Sequence, residues 1–151
     1  MKTYGIRIAD GRGKVLRPTL KDILEEMHQG SSFKWRILFL DGTPKPGEGL
    51  FLIEYEKKMN ESKNGLLLSL QELKNVSDRF FQMFETIVMG SYDVKFLHRY
   101  DDENDMYKTC DVVIELIDCA FWEVYTKDIS LIERLKIRFK EIELLDPDLG
   151  I

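Results

Sequence analysis

The chain has 151 residues, of which 44% are hydrophobic and 32% are charged, and its formal net charge is −5. This apolar share can form a sizeable core, so general disorder is excluded, and the length fits a single domain over residues 1–151. The acidic balance excludes sequence-independent nucleic-acid binding, which requires a dense basic surface.

The first residues predict a strand followed by a tight turn. Residues 3–9 alternate apolar and polar side chains, as a half-buried strand does. The segment DGRGK at 10–14 places two glycines before a lysine, but Val15 follows where a phosphate-binding loop needs serine or threonine. We therefore interpret this segment as a turn.

A short helix and a second strand are predicted next. Within residues 17–30, Thr19 can cap a helix, and Asp22 lies at the capping-box distance. Residues 33–40 then predict a strand with one apolar face. That face is expected to comprise Phe33, Trp35, Ile37 and Phe39.

The middle of the chain is predicted as loop, strand, helix and strand. Two prolines and three glycines make 41–49 a loop, and the run LFLIEYE predicts a strand at 50–56. Ser69, with Glu72 three residues later, predicts the start of a short helix. Residues 79–90 fit either a helix or a strand, and their aromatic and β-branched side chains favour a strand.

The last third predicts a hairpin, a helix and a final strand. Residues 112–118 and 120–127 are rich in β-branched and aromatic types and are close enough to pair. Residues 128–140 predict an amphipathic helix capped by Asp128, and 141–146 predict a short strand. The fold class is therefore α+β, a mainly antiparallel sheet with two or three helices packed on one face.

Charge is distributed unevenly along the chain. Residues 1–100 carry 13 acidic and 16 basic side chains, whereas residues 101–151 carry 14 acidic and 6 basic ones. The densest acidic run is DDENDMYKTCD at 101–111. Its carboxylates belong to Asp101, Asp102, Glu103, Asp105 and Asp111. An uneven charge distribution of this kind gives information about binding partners rather than about the fold.

Metal and nucleophile chemistry find little support in the sequence. A calcium loop needs a glycine where Met106 stands and a closing glutamate where Val112 stands. Neither His28 nor His98 lies at zinc-ligand spacing from a cysteine, and no Gly-x-Ser-x-Gly motif is present. We expect no metal, no cofactor and no catalytic residue.

The acidic run is better explained as a docking surface. A negative field attracts a basic protein and accelerates their encounter, although many acidic runs only solvate a surface. On the strand at 120–127, Phe121, Glu123 and Tyr125 share one face. We expect this face to be the wetter one, with both aromatic rings partly exposed, as at protein–protein interfaces.

The segment CDVVIELIDCAFWEVYTKDISLIERLKIRF at 110–139 combines an apolar strand, a turn, an aromatic strand and a capped helix. It resembles a group of small uncharacterised bacterial α+β proteins. In size, acidity and α+β make-up the chain is also similar to immunity proteins of bacterial toxin systems, including contact-dependent inhibition. The resemblance implies a non-enzymatic cytosolic protein that binds one toxin domain, very often a basic nuclease.

The cellular compartment follows from features that the sequence lacks. It shows no apolar signal segment and no membrane-length apolar window, and its two cysteines, Cys110 and Cys119, are too few for a disulfide framework. We therefore expect a cytoplasmic protein with reduced, buried or partly buried thiols.

The acidic surface together with this resemblance implies an immunity protein that occludes the active site of a basic toxin domain, without direct nucleic-acid or membrane binding. The predicted partner-binding residues are Asp101, Asp102, Glu103, Asp105, Asp111, Phe121, Glu123 and Tyr125. One alternative is a small enzyme or ligand-binding domain whose pocket lies between sheet and helices and includes His98 or Glu115. Another is a homo-oligomer that pairs through an edge strand at 50–56.

Overall fold

The computed structural model describes residues 1–11 and 18–149. Seven strands form within these residues: β1 (Tyr4–Ile8), β2 (Lys34–Pro44), β3 (Leu66–Leu68), β4 (Phe80–Ser91), β5 (Val112–Ile117), β6 (Phe121–Thr126) and β7 (Ile142–Leu145). The same residues form five α-helices: α1 (Leu20–Leu24), α2 (Gly49–Glu61), α3 (Leu70–Asp78), α4 (Glu103–Thr109) and α5 (Ile129–Arg138).

All of these strands belong to one antiparallel sheet. Their order is β3-β2-β4-β5-β6-β1-β7, so the first strand of the chain lies between two of the last ones. The predicted α+β class with a mainly antiparallel sheet is confirmed. Among the described residues, no helix is both long and apolar enough to cross a membrane.

The helices cover both faces of the sheet, which corrects the predicted number and placement. Helices α1, α2, α3 and α5 bury apolar side chains in the main core on the first face. Helix α4 instead packs on the second face, where Met106 and Tyr107 join a smaller apolar cluster. The prediction of two or three helices on one face is therefore wrong on both points.

The largest error concerns residues 50–56, which form part of helix α2 rather than a strand. Four residues of α2 contact the core at helical spacing: Phe51, Leu52, Tyr55 and Met59. The preceding loop is also shorter than predicted, because β2 continues to Pro44. A homo-oligomer that pairs through an edge strand at 50–56 is thus excluded, since the sheet edges of the described residues are β3 and β7.

Several local predictions are confirmed by hydrogen bonds. Thr19 and Ser69 both form capping boxes, at α1 and α3, and Asp128 caps α5. The ambiguous segment 79–90 is a strand, as its composition favoured. Strands β5 and β6 form the predicted hairpin, whose turn holds Asp118 and Cys119 at positive φ.

One detail of strand β2 differs from expectation, and one predicted turn lies outside the described residues. Trp35 and Ile37 are buried, but a register shift between Ile37 and Phe39 leaves the Phe39 side chain exposed. Residues 12–17, which include most of the predicted DGRGK turn and Val15, lie outside the described residues.

Candidate binding groove

The acidic run at 101–111 contains helix α4, which starts at Glu103. The side chain of Asp102 caps this helix by accepting a hydrogen bond from the backbone N–H of Asn104 at 2.9 Å. Glu103 and Asp105 lie in the first turn, where carboxylates interact favourably with the helix dipole. The carboxylates of this part of the run are exposed, while Met106 and Tyr107 turn towards the sheet.

Two glutamates lie beneath α4 on the second face of the sheet. Glu115 of β5 and Glu123 of β6 are cross-strand neighbours, and only 6% of each residue's surface is exposed. The ring of Tyr107 stacks on that of Tyr125, with centroids 3.8 Å apart and planes 14° apart. Each tyrosine therefore brings its hydroxyl close to one buried carboxylate.

The two carboxylates have different partners. Glu123 accepts a hydrogen bond from the Tyr125 hydroxyl at 2.6 Å and two from Arg7, at 2.9 Å from Nε and 2.7 Å from Nη2. Among residues 1–11 and 18–149, Glu115 accepts only from the Tyr107 hydroxyl, which lies 3.1 Å from Oε1 and 3.0 Å from Oε2. Within this part of the chain, one buried carboxylate is thus paired with a cation, and its neighbour is not.

These surroundings change the acidity of the network. Burial raises the pKa of Glu115 to about 7, and the charges of Glu103 and Glu123 add to this rise, whereas the hydrogen bond from Tyr107 opposes it. Burial also raises the pKa of both tyrosines, so their hydroxyls stay protonated and act as donors. Glu115 therefore changes charge near neutral pH.

A groove lies between α4 and the sheet, and it consists of two neighbouring cavities that share three lining residues. The wider part has a volume of about 640 Å³, and the narrower part about 290 Å³. The wider part is lined by Arg7, Asp101, Asp102, Glu103, Asn104, Tyr107, Glu123, Tyr125 and Pro147. The narrower part contains Glu115 and shares Glu103, Tyr107 and Glu123 with the wider one. We refer to both parts together as the acidic groove.

The acidic groove brings together five of the eight predicted partner-binding residues. They are Asp101, Asp102, Glu103, Glu123 and Tyr125. Asp105 is exposed on α4 outside the lining. Phe121 is partly buried under the guanidinium of Arg7, whose central carbon lies 4.3 Å from the ring centroid.

Asp111 has a different setting from the rest of the run. Its Oδ2 accepts hydrogen bonds from the Ser91 hydroxyl at 2.7 Å and the Tyr92 backbone N–H at 3.0 Å. It lines a separate cavity of about 330 Å³ near α5. Asp111 therefore fixes the end of β4 and does not belong to the acidic groove.

The expected exposure of Tyr125 is wrong, because only 4% of its surface is exposed. Phe121, Glu123 and Tyr125 do share a sheet face, but α4 covers Tyr125 by placing Tyr107 on its ring. Tyr107 and Arg7 were not predicted as site residues. A signal for Tyr107 exists in the sequence, since the apolar pair 106–107 interrupts the acidic run as an amphipathic helix would.

His98 and the cysteines lie away from the acidic groove. The His98 ring stacks on Tyr100 with centroids 3.9 Å apart. Cys110 is buried and Cys119 is partly exposed, and neither forms a disulfide. Within residues 1–11 and 18–149, no group of three or more histidine, cysteine, aspartate or glutamate side chains is arranged to hold a metal ion.

The charges of the groove favour a cationic ligand. In the described part of the chain, no lysine or arginine forms an ion pair with Asp101, Asp102, Glu103 or Asp105. By contrast, three acidic side chains of the α1 region surround Arg138.

No protein-family model, curated protein or solved structure matches the chain.

Proposed function

We propose that the chain is a non-enzymatic cytoplasmic protein of the immunity type, which neutralises a basic toxin domain by covering its active site. The observation that carries this proposal is the acidic groove, where exposed carboxylates of α4 meet the buried Glu123 of β6. A nuclease-type toxin domain has a basic active-site surface because it binds phosphates. The groove offers the complementary charge.

Binding would proceed in two stages. The exposed carboxylates at 101–105 attract the basic partner over several ångströms, and this attraction weakens as salt screens it. Contact then desolvates the groove and its rim, where Phe121 is partly exposed. A standard protein–protein interface of on the order of 1,600 Å² in total would cover both.

The test is affinity capture of a basic protein from a lysate of the source organism at low and moderate salt. One variant neutralises the acidic run by Asp101→Asn, Asp102→Asn, Glu103→Gln and Asp105→Asn. Asparagine at position 102 preserves the helix cap, so α4 should persist. The matched control removes four exposed charges elsewhere, by Glu54→Gln, Glu61→Gln, Glu133→Gln and Glu141→Gln.

We expect one basic partner at near-equal stoichiometry, bound by the wild type and the control and lost from the acidic-run variant. Association should slow as salt increases. Equal capture by the two variants, or association that is independent of salt, would contradict the proposal.

A second candidate function is small-molecule binding in the cavity of about 330 Å³ between α5 and the end of the sheet. Met27, Phe33 and Leu131 form apolar walls, and the lining carries both cations and carboxylates: Lys127, Arg134, Asp111 and Asp128. This combination suits a ligand with an apolar body and polar groups. Native mass spectrometry of the freshly purified protein tests it, since a bound molecule adds mass that denaturation removes. A mass equal to that of the chain alone would count against it.

A further inference from the structure

Glu115 and Glu123 differ in their hydrogen-bond and charge partners. Arg7 supplies two N–H donors to Oε2 of Glu123, and the Tyr125 hydroxyl bonds to Oε1. Glu115 is buried to the same extent, but among the described side chains the Tyr107 hydroxyl is its one hydrogen-bond partner. A hydroxyl carries one proton, so the two oxygens of an ionised Glu115 share a single donor.

In the described part of the chain, the groups that face Glu115 do not compensate its charge. Helix α4 contributes Glu103 and Tyr107, and β6 contributes Glu123 and Tyr125. Strand β4 adds the apolar Ile87 opposite Glu115 and places Glu85 on the same lining. Arg7, which lies on this sheet face, already contacts Glu123 and Glu143.

An unpaired buried carboxylate is costly, because it loses hydration without gaining a counter-ion. The raised pKa of Glu115 is consistent with this shortage. Glu115 also lines the narrower part of the acidic groove. The side chains of Glu103, Tyr107 and Glu123 line both this part and the wider one. A flat cationic group that enters the narrower part would therefore lie against Glu115.

We propose that the acidic groove takes one guanidinium group, an arginine side chain of the basic partner, which binds Glu115 as Arg7 binds Glu123. This inference rests on the proposed function, because it names the group that the partner inserts. Arg7 shows how this sheet face holds a guanidinium, on a carboxylate and over the ring of Phe121. Arginine is favoured over lysine because its planar donors bind a carboxylate at two points and stack on aromatic rings.

The test uses a short peptide, acetyl-Gly-Arg-Gly amide, titrated into the isotopically labelled full chain and followed by NMR. Peptides with lysine or with citrulline, an uncharged analogue, replace the arginine as controls. The arginine peptide should shift the signals of Tyr107 and the Glu115 carboxyl carbon saturably. The Glu115→Gln variant should bind it at least about tenfold more weakly, since one charge-assisted contact is lost. Asp105→Asn serves as the matched control and should change the affinity less than about twofold.

Binding should also depend on pH through the proton on Glu115. With a pKa of about 7, its ionised fraction rises about tenfold between pH 6 and pH 8, and the affinity for the arginine peptide should rise with it. The Glu115→Gln variant should lose most of this increase. Its dispersed amide spectrum would show that it is folded.

Equal binding of the arginine and citrulline peptides would overturn the inference, as would unchanged arginine affinity in Glu115→Gln. These outcomes are distinct from failure of the proposed function. Capture of a basic partner that Glu115→Gln leaves intact would keep the docking surface and reject the guanidinium site. Arginine binding at Glu115 without any captured partner would support the site and reject the inhibitor.

Discussion

The two faces of the sheet differ in how they bury polar groups. On the first face, the indole N–H groups of Trp35 and Trp122 donate to the backbone carbonyls of Gly30 and Pro18, both at 2.9 Å. Most other buried side chains of that face are apolar. The second face buries Glu115 and Glu123 beneath α4 and joins them to tyrosines and Arg7.

A buried carboxylate elsewhere in the chain sharpens this contrast. Asp10 accepts backbone hydrogen bonds from Lys140 and Glu141, which join the end of β1 to the start of β7. It therefore stabilises the fold. Among the described residues, Glu115 has no comparable set of donors, so its burial costs stability. Such a difference is typical of a functional surface on a stable support.

The largest loss of stability is expected from Trp122→Ala, on the first face of the sheet. This side chain is 1% exposed, and its removal leaves a large cavity as well as an unpaired carbonyl at Pro18. The free energy of unfolding should fall by about 3–5 kcal/mol, measured by urea denaturation. A loss below about 1 kcal/mol would mean that the first face is not the main support.

On the second face, Glu115→Gln should stabilise the chain at high pH. The pKa of Glu115 is raised from 4.5 to about 7, so the folded chain keeps a proton that the unfolded chain releases between these values. The free energy of unfolding of the wild type should therefore decrease by up to about 3 kcal/mol as the pH rises through this window.

Glutamine at position 115 does not titrate, so the free energy of unfolding of the variant should exceed that of the wild type by the full amount above pH 7. The difference should be absent below about pH 4.5. Urea denaturation of both proteins at pH 4.5, 6 and 8 measures the difference. An advantage that is the same at all three values would show that Glu115 does not titrate in this range.

A smaller loss is expected from Arg7→Met, which leaves the Glu123 carboxylate buried without its cation. Removing one partner of a fully buried pair costs about 3–5 kcal/mol, and the 32% exposure of the Arg7 side chain reduces this to about 2 kcal/mol. The double variant with Glu123→Gln should recover part of the loss, since no unpaired charge remains. Denaturation curves that show no recovery would argue that Arg7 stabilises the sheet by packing on Phe121 instead.

The smallest effect on stability is expected from the exposed carboxylates. Asp101→Asn combined with Asp105→Asn should change the free energy of unfolding by less than about 0.5 kcal/mol, because both side chains are exposed. Thermal unfolding of this variant beside the wild type provides the measurement. A change larger than about 1 kcal/mol would assign these carboxylates to the fold rather than to a partner.

Local sequence signals predicted the elements whose stabilising contacts are also local. The capping boxes at Thr19 and Ser69 involve residues three positions apart, and the β5–β6 hairpin joins adjacent segments. Residues 50–56 were wrongly predicted as a strand, because apolar side chains occur on every side of this short segment. Leu50 and Ile53 are exposed on α2, and only the longer period that includes Met59 shows the helix.

The candidate site was predictable only in part, for a related reason. The acidic run is visible in the sequence, but the side chain that distinguishes Glu123 from Glu115 is Arg7, which lies 116 positions from Glu123. No local period connects residues at that separation. The stacking of Tyr107 on Tyr125 likewise depends on where α4 packs, and this made the expected exposure of Tyr125 wrong.

The position of β1 has a consequence for the order of folding. Tyr4 pairs with Thr126, and Gly5 pairs with Leu145, so β1 is synthesised long before either of its partners. Contacts of such long range slow folding, because a large loop must close before they form. On the ribosome, β1 remains without its neighbours until β6 has emerged. Arg7 then meets Glu123 for the first time, so the acidic groove should be completed in the last steps of folding.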